Sequence, residues 1–277
     1  NKIKTTALNI KAKQIGLRVF PEANVYGGPL IGCHVGSDVA ADLLAVGMGK
    51  NEQVSMLVDV GTNTEVVVGN KNRMIAASCP AGPAFEGGEI QYGMPAYDGA
   101  IEHVQFEGDS VKYKTISEVK PTGICGSGLI DLLAELKKSG KMNYLGVLEN
   151  GLSEFMIAPE YNLSLSRRDI SALAQAKAAN YCGQKIVLRE YGIAPQDIPA
   201  MYIAGGFGNY IDVENAVRIG FIANVRYENI HRVGNTALEG ATQMLLSARL
   251  RLQIEEICKN IEHVELETTE DFFDLFV

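Results

Sequence analysis

The 277-residue sequence has no tryptophan, only four histidines and only five cysteines, and each scarcity closes off a class of function. The cysteines (Cys33, Cys79, Cys125, Cys182 and Cys258) are odd in number, widely spaced and never arranged as C-x-x-C. They provide neither a disulfide framework nor a ready-made iron–sulfur or zinc ligand set, and the pattern fits a reduced, cytoplasmic protein. The histidines are equally scattered, which argues against a metal centre built from Cys and His. No apolar run approaches the roughly 20 residues that a membrane-spanning helix needs. Cations are outnumbered, 25 Lys and Arg against 33 Asp and Glu for a net charge of −8. That balance argues against a nucleic-acid or anionic-membrane surface. Repeats, low-complexity tracts and long linkers are also missing. The opening "NKIKTTALNI" reads as neither a signal peptide nor, without Met, a natural start, so a piece of something longer is expected.

What remains is an ordinary globular mixture, 47% apolar and 21% charged, long enough for one large domain or two small ones. A weak strand is expected around Leu17–Phe20, followed by a helix over "GSDVAADLLAVGMG" with Ser37 as its N-cap. "MLVDVGTNTEVVVGN" (Met56–Asn70) reads as one apolar strand, a polar break and a second apolar strand, a hairpin with "GNKN" as its return turn and "RMIAASC" as a third strand. "GPAFEGGEI" reads as a short, glycine-interrupted helical turn. "AIEHVQFEGDSVKYKTI" predicts an antiparallel hairpin with one wet face. "GICGSGLIDLLAELKKSG" predicts a helix ended by Gly140. The longest helix should open at a Ser166/Asp169 capping box and run to "REYG", roughly 35 Å at 1.5 Å per residue. A buried strand "AMYIAGGFG", a helix from "DVENAVRIG", one long helix from about Asn235 to Lys259 and a final strand "HVELET" complete the pattern. Together these spell a mixed α/β sheet with helices on its faces.

Four stretches carry chemistry. A carboxylate at a strand end, Asp59, costs several kcal/mol to bury unless paired or facing a cation. Gly61 lets backbone approach a ligand, and Thr62, Asn63 and Thr64 can donate to phosphate oxygens, with Asp59 holding a hydrated Mg²⁺. The same tip is equally a D-x-G turn that satisfies its own backbone. In "YIAGGFGNY", a strand runs into Gly205 and Gly206, where a flat ring or phosphate can lie against bare backbone, or the chain simply turns. In "GICGSGL", Gly126 and Ser127 lead into a helix N-terminus, a geometry suited to an anion or to close helix–sheet packing. Glu86 and Glu89 are either a water-orienting or metal-facing acid pair or a solvated rim. Cys79 and Cys125 read as small buried residues.

The order of these elements resembles the phosphate and adenosine motifs of the actin/Hsp70/sugar-kinase superfamily. More closely, "LVDVGTNTEVVVGN", "ASCPAGPAFEGGEI", "GICGSGLIDLLAEL" and "YIAGGFGNYID" together resemble the C-terminal ATPase-like (ASKHA) domain of the reductive activators of corrinoid proteins. The resemblance runs from about Pro21 to "DLFV". It implies an actin/Hsp70-like (RNase H-like) mixed sheet flanked by helices, with residues 1–50 a partial first lobe and 51–277 a nucleotide-binding lobe. It implies ATP and Mg²⁺ as cofactors, a [2Fe-2S] ferredoxin domain outside this chain, and a corrinoid protein or corrinoid-dependent methyltransferase as partner. The activity implied is ATP-coupled reduction of cob(II)alamin to cob(I)alamin. Asp59 through Thr64 would be the phosphate and Mg²⁺ contacts, and Gly205, Gly206 and Phe207 the adenosine-side wall. A homodimer is also expected from the resemblance. An actin-like cleft takes a phosphate hairpin from each of two lobes, and only one is evident here. Two other readings stand beside this one. Cys125 resembles a cluster cysteine of 2-hydroxyacyl-CoA dehydratase activators, which share a [4Fe-4S] cluster between subunits. A docking module that kept the fold and lost turnover is the third.

Overall fold

In the Met56–Asn70 hairpin, side-chain alternation sorts residues onto two faces that are both covered. The computed structural model describes residues 5–270 and 272–276. In chain order its strands are β1 (Leu8–Lys11), β2 (Asn24–Gly27), β3 (Ser55–Val60), β4 (Thr64–Gly69), β5 (Met74–Cys79), β6 (Ala100–Glu107), β7 (Ser110–Thr115), β8 (Gly123–Ile124), β9 (Glu154–Ala158), β10 (Leu163–Ser166), β11 (Met201–Ala204), β12 (Ile230–Gly234) and β13 (Ile261–His263). The helices are α1 (Ser37–Val46), α2 (Gly126–Lys138), α3 (Arg167–Tyr191), α4 (Val213–Ile219), α5 (Thr236–Leu246), α6 (Ala248–Lys259) and α7 (Phe272–Phe276).

The central sheet has six strands in the order β12-β11-β3-β4-β5-β13. β3, β4 and β5 form an antiparallel meander, while β11 runs parallel to both β3 and β12. Such a mixed sheet needs helical crossovers for its parallel members, and α3 and α4 supply them. Met56, Val58, Val60, Val66, Val68, Ile75 and Ala77 point into one core with α2 and α3. Leu57, Val67, Met74 and Ala76 point into a second core with α1, α5 and α6. This is the actin-like mixed sheet that the motifs imply. α1 approaches α5 closely because Gly240 carries no side chain; a Cβ there would stand 1.9 Å from the Ala41 carbonyl oxygen. β6, β7 and β8 form a small separate sheet against α2.

Several local expectations need correction. The Asn235–Lys259 stretch is two helices, because Ser247 adopts extended angles (φ −139°, ψ 110°) and its hydroxyl caps the Leu250 amide. Serine competes with the helix for backbone donors, and here the cap wins. Leu17–Phe20 is not a strand: β1 takes β2 as its partner instead, and Pro21 follows directly. Gly36 occupies the N-cap of α1, and Ser37 is its first helical residue. "HVELET" is a strand only to His263, after which Leu266–Thr268 tightens into a 3₁₀ turn. The short β9–β10 hairpin and the edge strand β12, "IHRVG", went unanticipated. The Ser166/Asp169 capping box is present as expected.

Candidate nucleotide site

The four motif stretches, far apart in sequence, converge at one end of the central sheet. Asp59 lies near the end of β3 and pairs in register with Ala204 of β11 on one side and Glu65 of β4 on the other. Gly205 follows directly, with φ at +92°, and a Cβ on it would stand 2.4 Å from the Val60 carbonyl oxygen and 3.1 Å from Asp59 Oδ1. Only glycine adopts that conformation at that contact distance without strain. Gly61, Thr62 and Asn63 form the hairpin tip, where Thr62 and Asn63 are exposed, and Thr64 is buried at the start of β4. The "GPAFEGGEI" segment closes over this tip as a series of turns: the Gly82 amide donates to the Thr62 carbonyl at 2.8 Å. Thr62 Oγ1 approaches Glu86 Oε1 at 3.5 Å.

Aromatic packing ties the remaining pieces together. Phe207 lies against Gly126, where a Cβ would meet its ring at 2.1 Å and the Phe85 carbonyl oxygen at 2.4 Å. Phe85 and Phe221 pack at a centroid distance of 4.8 Å, and Phe207 meets Phe221 edge-on at 6.1 Å. The start of α2, the turn after β11 and the Glu86 segment are therefore one packed unit. Around Gly206 there is open space. Ser127 turns inward: it is buried, and its hydroxyl donates to the Glu102 carbonyl at 2.9 Å. Any contact from this helix start to an anion is left to backbone N–H groups.

Alternation places Asp59, Glu65 and Ser78 on the face that meets α1, and there the fold adds an acid that no motif announces. Asp42 of α1 is wholly buried on that face, and Thr236 Oγ1 donates to its Oδ1 at 2.6 Å. Among the described residues nothing hydrogen-bonds its Oδ2. Burial, then the neighbouring Asp59 charge, pushes the Asp42 carboxyl up to about 8. Burial also raises Asp59, with the neighbouring Asp42 carboxyl working the other way. Glu65 is pushed up to about 7, chiefly by burial and against a 2.9 Å hydrogen bond from Ser78. Asp38, one helical turn before Asp42, adds its charge to all three.

Such a row of carboxyls, with no ammonium or guanidinium acting on it among the described residues, is a region of unmet negative potential. It suits a cation, and Asp59 with the polar hairpin tip matches the donor set of hydrated Mg²⁺, one or two carboxylates plus water and phosphate oxygens. Among the described residues, no group of three or more His, Cys, Asp and Glu side chains gathers into a metal cage. Glu86 is half-buried, raised by that burial, and its Oε2 has no hydrogen-bond partner among the described residues. Glu89, in contrast, is exposed at φ +67°. The two do not behave as a pair.

Asp42 and Glu65 are the residues sequence reasoning missed. The available signal was a charge inside the apolar run "VAADLLAV", on a helix whose other middle residues are buried. Cys79 and Cys125 are buried as expected. The Cys125 thiol contacts the Ile101 carbonyl and Ser127 Oγ, each at 3.4 Å, which is not the exposed position of a cluster shared between subunits. No helix among the described residues is long and apolar enough to cross a membrane.

Comparison with known proteins gives concordant results. The family of the C-terminal domain of RACo, the ASKHA domain, matches residues 53–277. The chain is similar to the corrinoid activation enzyme RamQ of Eubacterium limosum, 34% identical over 295 residues that cover 98% of this chain and 49% of that protein. It is also similar to the [Co(II) methylated amine-specific corrinoid protein] reductase of Methanosarcina barkeri, 28% identical over 309 residues covering 99% of this chain and 56% of that protein. Among solved structures, a reductive activator for a corrinoid, iron–sulfur protein superposes with a TM-score of 0.87 at 34% identity, over 97% of this chain and 46% of that one. The chain thus spans about half the length of the relatives it matches.

Proposed function

Because the chain belongs to the family of the RACo C-terminal ASKHA domain, we propose that it is the nucleotide-responsive domain of an ATP-dependent activator that reduces a corrinoid protein. In the whole protein, a reduced iron–sulfur centre would give one electron to cob(II)alamin and yield cob(I)alamin. Hydrolysis of ATP to ADP and phosphate would drive that uphill transfer. The observation that carries the reading is the convergence of the Asp59 hairpin, Glu86, the α2 start and the Gly205–Phe207 turn at one end of the sheet. The names of the relatives support the corrinoid protein as partner. Residues 1–50 are assigned to a partial first lobe and connecting segment and 51–277 to the nucleotide-binding lobe. The odd, widely spaced cysteines support a cytoplasmic setting for this reading.

Within this reading each residue has a role. The Gly61–Thr64 tip receives phosphate oxygens, and the backbone at Gly126 and Ser127 faces the same charge from a helix N-terminus. Asp59 would hold a Mg²⁺, which would supply neutralisation of phosphate charge. Glu86, reached through Thr62, orients the attacking water and accepts its proton. Gly205 and Gly206 leave space beside the sheet end, and Phe207 walls the adenosine side. The test is calorimetric titration of the chain with ATP and Mg²⁺, alongside Asp59→Ala. Binding in the parent and its loss in the variant support the site. Silence in both means that this lobe alone does not bind and favours a docking role. In the full-length activator, corrinoid reduction that proceeds equally with and without ATP would end the proposal.

A further inference from the structure

The long helix α3 turns its inner face to the sheet, α7 packs against it as well, and Leu275 of α7 borders the stretch of α3 that stays open. Ala174, Ala178 and Tyr181 of that open stretch, with Leu133 of α2 and the exposed Tyr144 and Leu145, bound a cavity of about 790 Å³. A second cavity of about 620 Å³ continues from Lys177 and Tyr181 to Arg189 and Ile193. The two share Lys137, Lys177, Tyr181 and Ile219, so they adjoin as one groove. From Ile170 to Arg189 it follows α3 for about 28 Å at 1.5 Å per residue. It shares no residue with the nucleotide site.

The charge lining this groove is the reverse of the chain's. Lys137, Lys177, Lys185, Arg189 and Arg218 line it, and among the described residues no Asp or Glu does. The chain as a whole carries 33 acids to 25 Lys and Arg. Arg189 and Arg218 have Glu190 and Glu214 beside them. The three lysines have no such carboxylate among the described residues. Lys137 Nζ donates to the Arg218 carbonyl at 2.9 Å, and Lys185 lies 6.0 Å from the Tyr181 ring centre. Lys177 is half-buried in the floor, next to Gly220.

We propose that this groove receives an amphipathic helix from a partner protein, with acidic residues along the borders of its apolar face. An apolar groove with Lys177 in its floor and Lys137 and Lys185 along it, none with a carboxylate partner among the described residues, is the complement of that ligand, and its length matches about five helical turns rather than a small molecule. A bilayer is flat and does not reach a lysine in a groove floor. Because no carboxylate among the described residues pairs with the three lysines, an incoming carboxylate displaces no existing ion pair, and at half-buried Lys177 it meets charge already partly stripped of water. The small side chains of Ala174 and Ala178 leave room for the partner's backbone. This inference does not depend on nucleotide binding.

Fluorescence anisotropy with two labelled peptides of about 18 residues, long enough to span the groove, tests it. One is an amphipathic helix with Leu on one face and Glu flanking it; the other is its scramble. The helix is expected to bind the chain, to weaken with rising salt, and to bind at least about tenfold better than the scramble. The doubly reversed variant Lys137→Glu/Lys177→Glu should lose at least about tenfold in affinity. Ala178→Trp, which fills the groove without changing charge, should do the same. Circular dichroism melts confirm that each variant is folded, and the two act through different chemistry, so misfolding of one leaves the other decisive. Equal binding of helix and scramble, or undiminished binding by the folded variants, overturns the proposal. So does an outcome in which dodecanoate or anionic vesicles, and not the peptide, bind in a Lys177-dependent manner.

Discussion

Gly205 and Asp59 touch across adjacent parallel strands: a Cβ on Gly205 would lie 3.1 Å from Asp59 Oδ1 and 2.4 Å from the carbonyl oxygen of the next residue, Val60. The candidate site is thereby built into the sheet rather than hung from a loop.

This contact separates two neighbouring glycines. Gly205→Ala forces a side chain into φ +92° and against backbone, and should cost about 2–4 kcal/mol. A Cβ on Gly206 would have nothing within 4 Å, and its φ is not positive, so Gly206→Ala should change stability by no more than about 0.5 kcal/mol. Thermal melts of the two variants check this directly. Equal melting temperatures would mean that the close contact does not constrain the fold.

The Asp42–Asp59 pair predicts a pH effect. Asp42 goes from 3.8 to about 8 on folding, so between those values the folded chain holds a proton that the unfolded chain has released. Stability from this group is therefore full below pH 4 and falls as pH rises towards 8. Asp42→Asn removes the buried acid while keeping its shape. The variant should be more stable than the parent by about 1–3 kcal/mol at pH 8, and the gain should vanish near pH 4. Urea unfolding across that range decides it; a pH-independent difference would point to packing instead of charge.

The hairpin was legible in the sequence because two short apolar runs, Met56–Val58 and Val66–Val68, flank a polar, glycine-bearing break and need no partner to be recognised. Its tip residues and Gly205 were legible for the same local reason. Asp42 was not, because its significance depends on α1 packing over β3, which brings it to Asp59 from 17 positions earlier in the chain. The break at Ser247 was hidden by helix-compatible residues on both sides. Short strands such as β9 and β12 take their form from neighbours in the folded sheet, and their own residues carry little periodic signal.

A buried polar clasp fixes the turn that delivers Phe221 to the aromatic cluster. Gln184 of α3 donates to the Phe221 carbonyl and accepts from the Ala223 amide, both at 2.9 Å, while Asn180 Nδ2 also donates to that carbonyl at 2.9 Å. Gln184→Ala orphans the Ala223 amide and leaves a cavity, and should cost about 3–4 kcal/mol. Asn180 still holds the Phe221 carbonyl, so the fold should survive with a lower unfolding midpoint in urea. No change in midpoint would show that the clasp contributes nothing.

Glu86 offers the sharpest separation of stability from function. Its carboxyl is raised by burial, its only described side-chain partner is Thr62 at 3.5 Å, and its Oε2 is unpartnered among the described residues. Glutamine keeps the shape and the Thr62 contact but cannot accept a proton from water. With a folded value above the unfolded one, the carboxylate costs stability once pH exceeds the ordinary carboxylate range. Glu86→Gln should therefore leave the melting temperature at neutral pH unchanged or slightly higher. If Glu86 orients and deprotonates the attacking water, the same substitution in the full-length activator should lower the ATPase rate by about 10²–10⁴-fold, the usual contribution of a general base. Nucleotide affinity should stay within about threefold, since the carboxylate contributes little to ground-state binding. A rate that falls only in proportion to affinity would assign Glu86 to binding, and a lower melting temperature with unchanged rate would make it a structural residue.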